Sequence, residues 1–389
     1  MRGNFRPTPV DLPALATEAR RKEAALLERL RQLVEIESPS SDKAAVDRAS
    51  AAVATWAAQA GGRVRRHRQR RCGDSLEVQF GARQQGVRPI LLLGHLDTVW
   101  EKGTLAGMPW KVTRERVAGP GVLDMKAGVV MALAALELLR EHGQERRPVL
   151  LLLHGDEEIG SPGSRSLTER IARRSSAVYV LEPAQGIAYK TARKAVGMYR
   201  VTVHGVAAHS GVDFASGRSA ILELARQIRT IESWTSRDGR TTVNPGVIGG
   251  GTQSNVIAAQ AWAEVDVRAT SKAAMAEIDR AFRRLKPQDR GCRLEVTGGM
   301  NRPPMVRTAG TAALFRRARQ LAAQMGFELE EASTGGGSDG NFTSALGIPT
   351  LDGMGAVGAG AHATGEHLLR AHLAPRIALL AAMLLSPEG

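Results

Sequence analysis

Three apolar runs along the chain end abruptly in polar residues: PILLLGH at 89–95, PVLLLLH at 148–154 and AVYVLE at 177–182. Each is short and lacks alternation, the mark of a strand covered on both faces. Helical patterns at 128–142 and 167–174 separate them. This rhythm predicts an α/β domain with a mixed, mostly parallel sheet and flanking helices. Upstream, Leu26, Leu27, Leu30 and Leu33 recur at helical spacing within an amphipathic helix over 12–36. A Pro/Ser-rich break at 37–41 leads into a second helix over 41–60.

Beyond residue 194 the pattern changes. Strands are expected at 198–204, 242–249, 261–268 and 293–297, with helices at 217–234 and 271–285. That order, βαββαβ, is a split-βαβ or ferredoxin-like unit. A helix over 311–325 and a strand at 348–351 then return to the first pattern. The expected organisation is one domain from 1–193 and 305–389, interrupted by a second over 194–304. A length of 389 residues agrees with two domains.

Hydrophobic residues at 43% and charged residues at 24% exclude a mostly disordered or collagen-like chain. The longest apolar runs, 149–153 and 377–385, fall far short of the roughly 20 residues that span a bilayer, so no transmembrane helix or membrane partner is expected. Residues 1–37 carry no apolar stretch of the signal-peptide type, which makes the cytoplasm the expected location. Cys72 and Cys292 lie outside any CxxC spacing and read as simple thiols. The net charge of +14 raises a nucleic-acid reading. Aromatics are only 4%, however, and the densest basic cluster, 63–71, contains no ring to stack a base. A solvated basic face, or a field that gathers anionic substrates, accounts for the charge equally well.

The chemistry sits where the apolar runs end, which is where open α/β sheets bind ligands. The first run delivers His95 and, two residues on, Asp97, suited to a metal-binding imidazole and the carboxylate that braces it. A capping aspartate beside a core histidine would leave the same trace. The turn GPGVLDMKAG at 119–128 places Asp124 at a helix start, as an N-cap or as a carboxylate bridging two cations. Asp156, Glu157 and Glu158 follow the second run, and Glu182 ends the third. Acids packed this closely repel one another unless cations neutralise them. Near the C-terminus AHATGE at 361–366 supplies a second imidazole, His362. Two histidines with several carboxylates suit a pair of zinc ions better than magnesium or calcium, with cobalt or manganese as substitutes.

At these residues the chain resembles the di-zinc metallopeptidase and deacylase family that includes aminoacylases, acetylornithine deacetylase, succinyl-diaminopimelate desuccinylase and the bacterial glutamate carboxypeptidases. The resemblance is carried by GHLDTV at 94–99, GPGVLDMKAG, GDEEIGS at 155–161, the Glu182-Pro pair and GVAAHSG at 205–211. SNVI at 254–257, DVR at 266–268, GGGSDG at 335–340 and AHATGE complete it, in family order over almost the whole chain. It implies that His95 and Glu182 hold one zinc ion, Glu158 and His362 the other, and that Asp124 bridges both. Glu157 would be the general base, Asp97 the carboxylate orienting His95, and the peptide bond after Asp124 cis. Residues 1–193 and 305–389 would form the catalytic domain, and 194–304 a lid and dimerisation domain that makes the protein a homodimer. There His209 would reach the partner subunit's site as an oxyanion donor, with Asn255 and Arg268 facing substrate. Arg302, with Gly336, Gly337 and Ser338, would hold a substrate carboxylate. Met300-Asn301 and Ala127 depart from the family pattern. The implied activity is hydrolysis of an amide or peptide bond in a small acyl-amino acid or short peptide. It would release a C-terminal amino acid, glutamate being the candidate. N-acyl-amino-acid deacylation is the alternative, and a non-catalytic basic nucleic-acid-binding protein the remote one.

Overall fold

The computed structural model describes residues 12–82, 85–142 and 147–385, so part of the 1–37 stretch behind the location reading lies outside the described residues. The chain divides into two compact units. The first comprises residues 1–192, 307–333 and 338–389, and the second 193–306 and 334–337. Against the expected boundaries, the second unit claims a short return segment, and with it Gly336 and Gly337.

In the first unit a six-stranded sheet runs in the order Arg63–His67, Gly73–Phe80, Val149–Gly155, Ile90–His95, Ala177–Val180, Thr350–Leu351. The first two pairings are antiparallel and the other three parallel. The unalternating apolar runs have a direct cause. Ile90, Leu92, Leu151, Leu153 and Tyr179 point into the main core, while Leu91, Leu93, Leu150, Leu152 and Val178 pack on the other face with Leu167 and Ile171. Successive side chains of a strand take opposite faces, so a strand buried on both must be apolar throughout. Register then aligns the strand ends. His95 pairs with His154 and Leu93 with Val180. His95, Asp156 and Glu182 therefore leave the sheet along one edge.

One expectation changes. The helix read over 12–36 is broken at Lys22 into Leu12–Arg21 and Glu23–Glu35, two pieces that share one apolar stripe. The arginine cluster at 63–71 begins as an edge strand, Arg63–His67, whose Arg63, Arg65 and Arg66 are exposed. Charge on an unpaired edge discourages pairing with another sheet. The helices Ala127–Glu141 and Leu373–Leu385 are buried almost all round. No helix among the described residues is long and apolar enough to cross a membrane. Cys72 and Cys292 are free and buried, and burial, with Asp156 beside it, pushes the Cys72 thiol up to about 12.

Gly128 lies in the first turn of the helix that follows Asp124, and a Cβ there would sit 2.1 Å from the carbonyl oxygen of Leu181, the residue before Glu182. Backbone cannot yield as a side chain would. Gly128→Ala is expected to cost about 1–3 kcal/mol or more, read as a lower denaturation midpoint at unchanged m-value.

The second unit is a four-stranded antiparallel sheet ordered Thr241–Gly250, Gln260–Ala269, Ala195–His204, Arg293–Arg302. With the helices Ala220–Glu232 and Lys272–Arg283 its element order is βαββαβ. Ser219 and Ser271 cap the two helices by accepting from Leu222 N and Ala274 N. Alternate strand residues, among them Tyr199, Val201, Val203, Ala263, Val265 and Val267, form its core with Leu224, Ile231 and Phe282. The last strand extends five residues past the expected end at 297. Gly298, Gly299 and Met300 continue the ladder, and the register shifts at Asn301 before Arg302.

Candidate metal centre

His95 is the last residue of its strand and fully buried. Its Nδ1 donates to the Asp97 carbonyl at 2.9 Å, which directs Nε2 to the acids. Nε2 lies 3.4 Å from Asp124 Oδ1, 3.6 Å from Glu182 Oε1 and 4.0 Å from Glu157 Oε2. On the other side, His362 Nε2 lies 3.3 Å from both Asp124 Oδ2 and Glu158 Oε2. Two donor trios result, His95–Asp124–Glu182 and Asp124–Glu158–His362, each with its ligand atoms within 4.8 Å of one another. Asp124 belongs to both and turns one oxygen towards each.

His95 Nε2, Asp124 Oδ1 and Glu158 Oε1 are buried without a hydrogen-bond partner. Buried polar atoms are almost always satisfied, so three orphans at one place require something to satisfy them. A nitrogen-and-carboxylate donor set of this kind fits zinc or a related transition-metal ion. Asp124 and Glu158 hold the His362 pKa up to about 10. Burial opposes the charged form of His95, yet Asp124, Asp97 and Glu182 hold its pKa well above the usual imidazole value. Burial also opposes the charge on Asp124, but His362 and His95 pull its pKa down, whereas burial pushes Glu158 up.

Asp97 does more than the sequence implies. It touches His95 through its carbonyl, and its carboxylate Oδ1 is 3.5 Å from Nδ1. The carboxylate is spent chiefly on the acidic loop: Oδ1 accepts from Glu157 N at 3.2 Å, and Oδ2 from Glu158 N at 3.1 Å and Ser40 Oγ at 2.7 Å. One buried aspartate thus sets both the first histidine and the Glu157–Glu158 turn. Asp124 sits on a turn entered through Gly121 at φ 69°, a left-handed conformation that favours glycine, and the Asp124–Met125 bond is cis. Lys126, also buried, donates to the Ile36 carbonyl at 3.0 Å, and burial lowers its pKa to about 7. Neither Lys126 nor Glu366, which accepts from Asp124 N at 3.0 Å, stood out as chemistry in the sequence. Glu366 carried one signal: it falls four residues after His362 in AHATGE.

The remaining candidates belong to the second unit. His209 and Asn255 are exposed and neighbouring: His209 bridges to Val256, and Ser210 N donates to the Asn255 carbonyl at 3.0 Å. Arg268 makes a two-pronged pair with Asp266 at 2.8 Å and donates to the Gly335 carbonyl at 3.3 Å. A Cβ on Gly337 would meet Arg302 Cδ at 2.8 Å, so the buried Arg302 lies against that glycine. Arg193, which the sequence reading passed over, donates to the Gly336 and Gly337 carbonyls at 3.2 and 3.1 Å. Three arginines therefore surround the 335–337 segment.

The chain is similar to known proteins over most of its length. The model of peptidase family M20/M25/M40 matches residues 91–386. Carboxypeptidase G2 of Pseudomonas sp. (strain RS-16) is 28% identical over 378 residues, covering 95% of this chain and 90% of that protein. A probable carboxypeptidase of Aspergillus clavatus is 32% identical over 273 residues, 62% of this chain and 57% of its own. Among solved structures, an aminopeptidase of Bacillus cereus superposes with a TM-score of 0.75 at 23% identity, covering 92% of this chain and 97% of its own. An M20 family metallo-carboxypeptidase of Sulfolobus solfataricus gives 0.73 at 16% identity, covering 92% and 98%.

Proposed function

The chain belongs to peptidase family M20/M25/M40 and is a metal-dependent hydrolase of peptide or amide bonds, and we propose that it releases the C-terminal amino acid from a short peptide or acyl-amino acid, using two zinc ions. The observation that carries this reading is the sharing of Asp124 between two donor trios, with Glu157 at their edge. In it, His95 and Glu182 would hold one ion, Glu158 and His362 the other, and Asp124 would contribute to both. Such ions would supply Lewis acidity, towards a water and the substrate carbonyl. Glu157 takes the proton of the attacking water and returns it to the leaving nitrogen. Its neighbour Glu158 serves a different purpose, since its carboxylate lies beside His362 while that of Glu157 reaches towards His95.

Arg302 receives the carboxylate of the departing residue, with Gly336 and Gly337 beside it and Asn255 and Arg268 contributing to substrate binding. His209 stabilises the oxyanion in the partner subunit's site of a homodimer formed through the second unit. Exposed Met198, Val247 and Ile248 on that unit support such a contact. Glutamate is the proposed leaving residue, and Arg193 adds a second cation suited to a dicarboxylate.

A substrate panel tests this. Dipeptides and acyl-glutamates should be cleaved faster than N-acetyl amino acids; the reverse ranking would make the protein a deacylase, and no cleavage of any acylated amino acid would reject both. Arg302→Ala should raise KM by roughly 10- to 100-fold, the worth of a charged hydrogen bond, with kcat less affected.

A further inference from the structure

Glu366 is fully buried, and each of its carboxylate oxygens accepts two hydrogen bonds. Oε2 takes the Trp100 indole N–H at 2.7 Å and Gly121 N at 2.8 Å. Oε1 takes Leu123 N at 2.8 Å and Asp124 N at 3.0 Å. These four donors come from two separate stretches of chain: the loop that follows His95 and Asp97, and the turn that carries Asp124. Glu366 itself lies four residues beyond His362, in the short hairpin formed by Gly358–Ala359 and Gly-free His367–Leu369. One carboxylate therefore ties together the three segments that deliver His95, Asp124 and His362.

We infer that Glu366 is a positioning residue that holds the bridging Asp124 carboxylate in register with both imidazoles, so that it governs metal affinity without touching metal or substrate. This inference rests on the ligand assignment proposed above. Its physical basis is the acceptor count. Four N–H groups converge on Glu366, and a carboxylate is acceptor-only, with lone pairs enough for all of them. Nothing else of that size can do the same. Glutamine offers one acceptor oxygen and one NH2 group, so in either orientation it turns donors against donors. It must face either the Trp100 and Gly121 pair or the Leu123 and Asp124 pair. The turn then shifts or loses hydrogen bonds, and Asp124, whose own N–H is one of the four, moves with it. Hydrogen bonds behind a metal ligand commonly change affinity by 10–100-fold.

The test uses the full chain and zinc alone. Metal-free protein is titrated with Zn2+ against a chromophoric chelator, for the wild type, Glu366→Gln and Glu366→Asp. Glu366→Gln is expected to bind Zn2+ about 10–100-fold more weakly while keeping the far-UV circular dichroism of the metal-free protein. Glu366→Asp, which retains both acceptor oxygens, should recover part of that loss. With a substrate that the wild type cleaves, kcat should fall more than KM rises. Should Glu366→Gln fail to fold, Trp100→Phe removes one donor and leaves the carboxylate in place; a smaller loss of zinc affinity is then expected. Wild-type affinity in a folded Glu366→Gln or Trp100→Phe protein, even with a lowered melting midpoint, would make the role merely structural and overturn the inference. If the wild type itself takes up no zinc, it is the ligand assignment that fails.

Discussion

Replacing Glu157 by glutamine should leave the fold and the bound metal intact and lower kcat by roughly two to four orders of magnitude, the usual contribution of a positioned general base. The expectation follows from where the residue sits. Glu157 is in neither donor trio, so its loss removes no ligand. Its backbone is pinned by Asp97 and its carboxylate reaches to 4.0 Å from His95 Nε2, beside the first trio. Glutamine keeps the shape and cannot carry the proton. Metal content by elemental analysis, circular dichroism and steady-state kinetics together check it. Undiminished turnover in a metal-replete Glu157→Gln protein would remove Glu157 from the mechanism, and a chain that bound nucleic acid and hydrolysed nothing would show no loss at all.

The second large effect is expected at Asp124. Because its two oxygens face different trios, Asp124→Ala should, if the proposed two-zinc site holds, bring the zinc content towards none and abolish turnover. His362→Ala takes a donor from one trio alone and should leave zinc binding at the proposed His95–Asp124–Glu182 trio. Charge explains the asymmetry. Each trio has two carboxylates and one imidazole, and Asp124 is counted in both, so its removal leaves each ion with a single negative ligand. Elemental analysis after dialysis at fixed free zinc measures the difference. Equal zinc loss in the two variants would show that Asp124 does not bridge.

Much of this site is readable along the chain because three of its elements are local. His95, the Asp156–Glu158 loop and Glu182 each follow a buried apolar run directly, and a strand covered on both faces announces itself as an unbroken hydrophobic stretch. Other elements left weaker traces. Leu76, Val78 and Phe80 alternate with polar Glu77 and Gln79, but the buried polar Ser75 beside Leu76 cuts the signal short, and Arg63–His67 resembles a charged loop because edge strands are permitted charge. The small sheet of Lys111–Val112, Arg116–Ala118, Gly358–Ala359 and His367–Leu369 consists of strands of two or three residues, too short for any period to register. That sheet nonetheless decides where His362 goes, since pairing of His367 with Ala118 lays the histidine loop beside the turn that bears Asp124.

The order of residues along the chain determined the strand cores, the helices between them and the kinds of ligand offered at each strand end, because burial and donor chemistry belong to the residues themselves. Which oxygen of Asp124 meets which imidazole, that Asp97 spends its carboxylate on the Glu157 and Glu158 amides, and that Glu366 collects four distant N–H groups were decided only in three dimensions. Hydrogen bonds of that kind join residues up to 266 positions apart, as Trp100 and Glu366 are, and a partner so remote leaves no periodicity or spacing by which either could be known in advance.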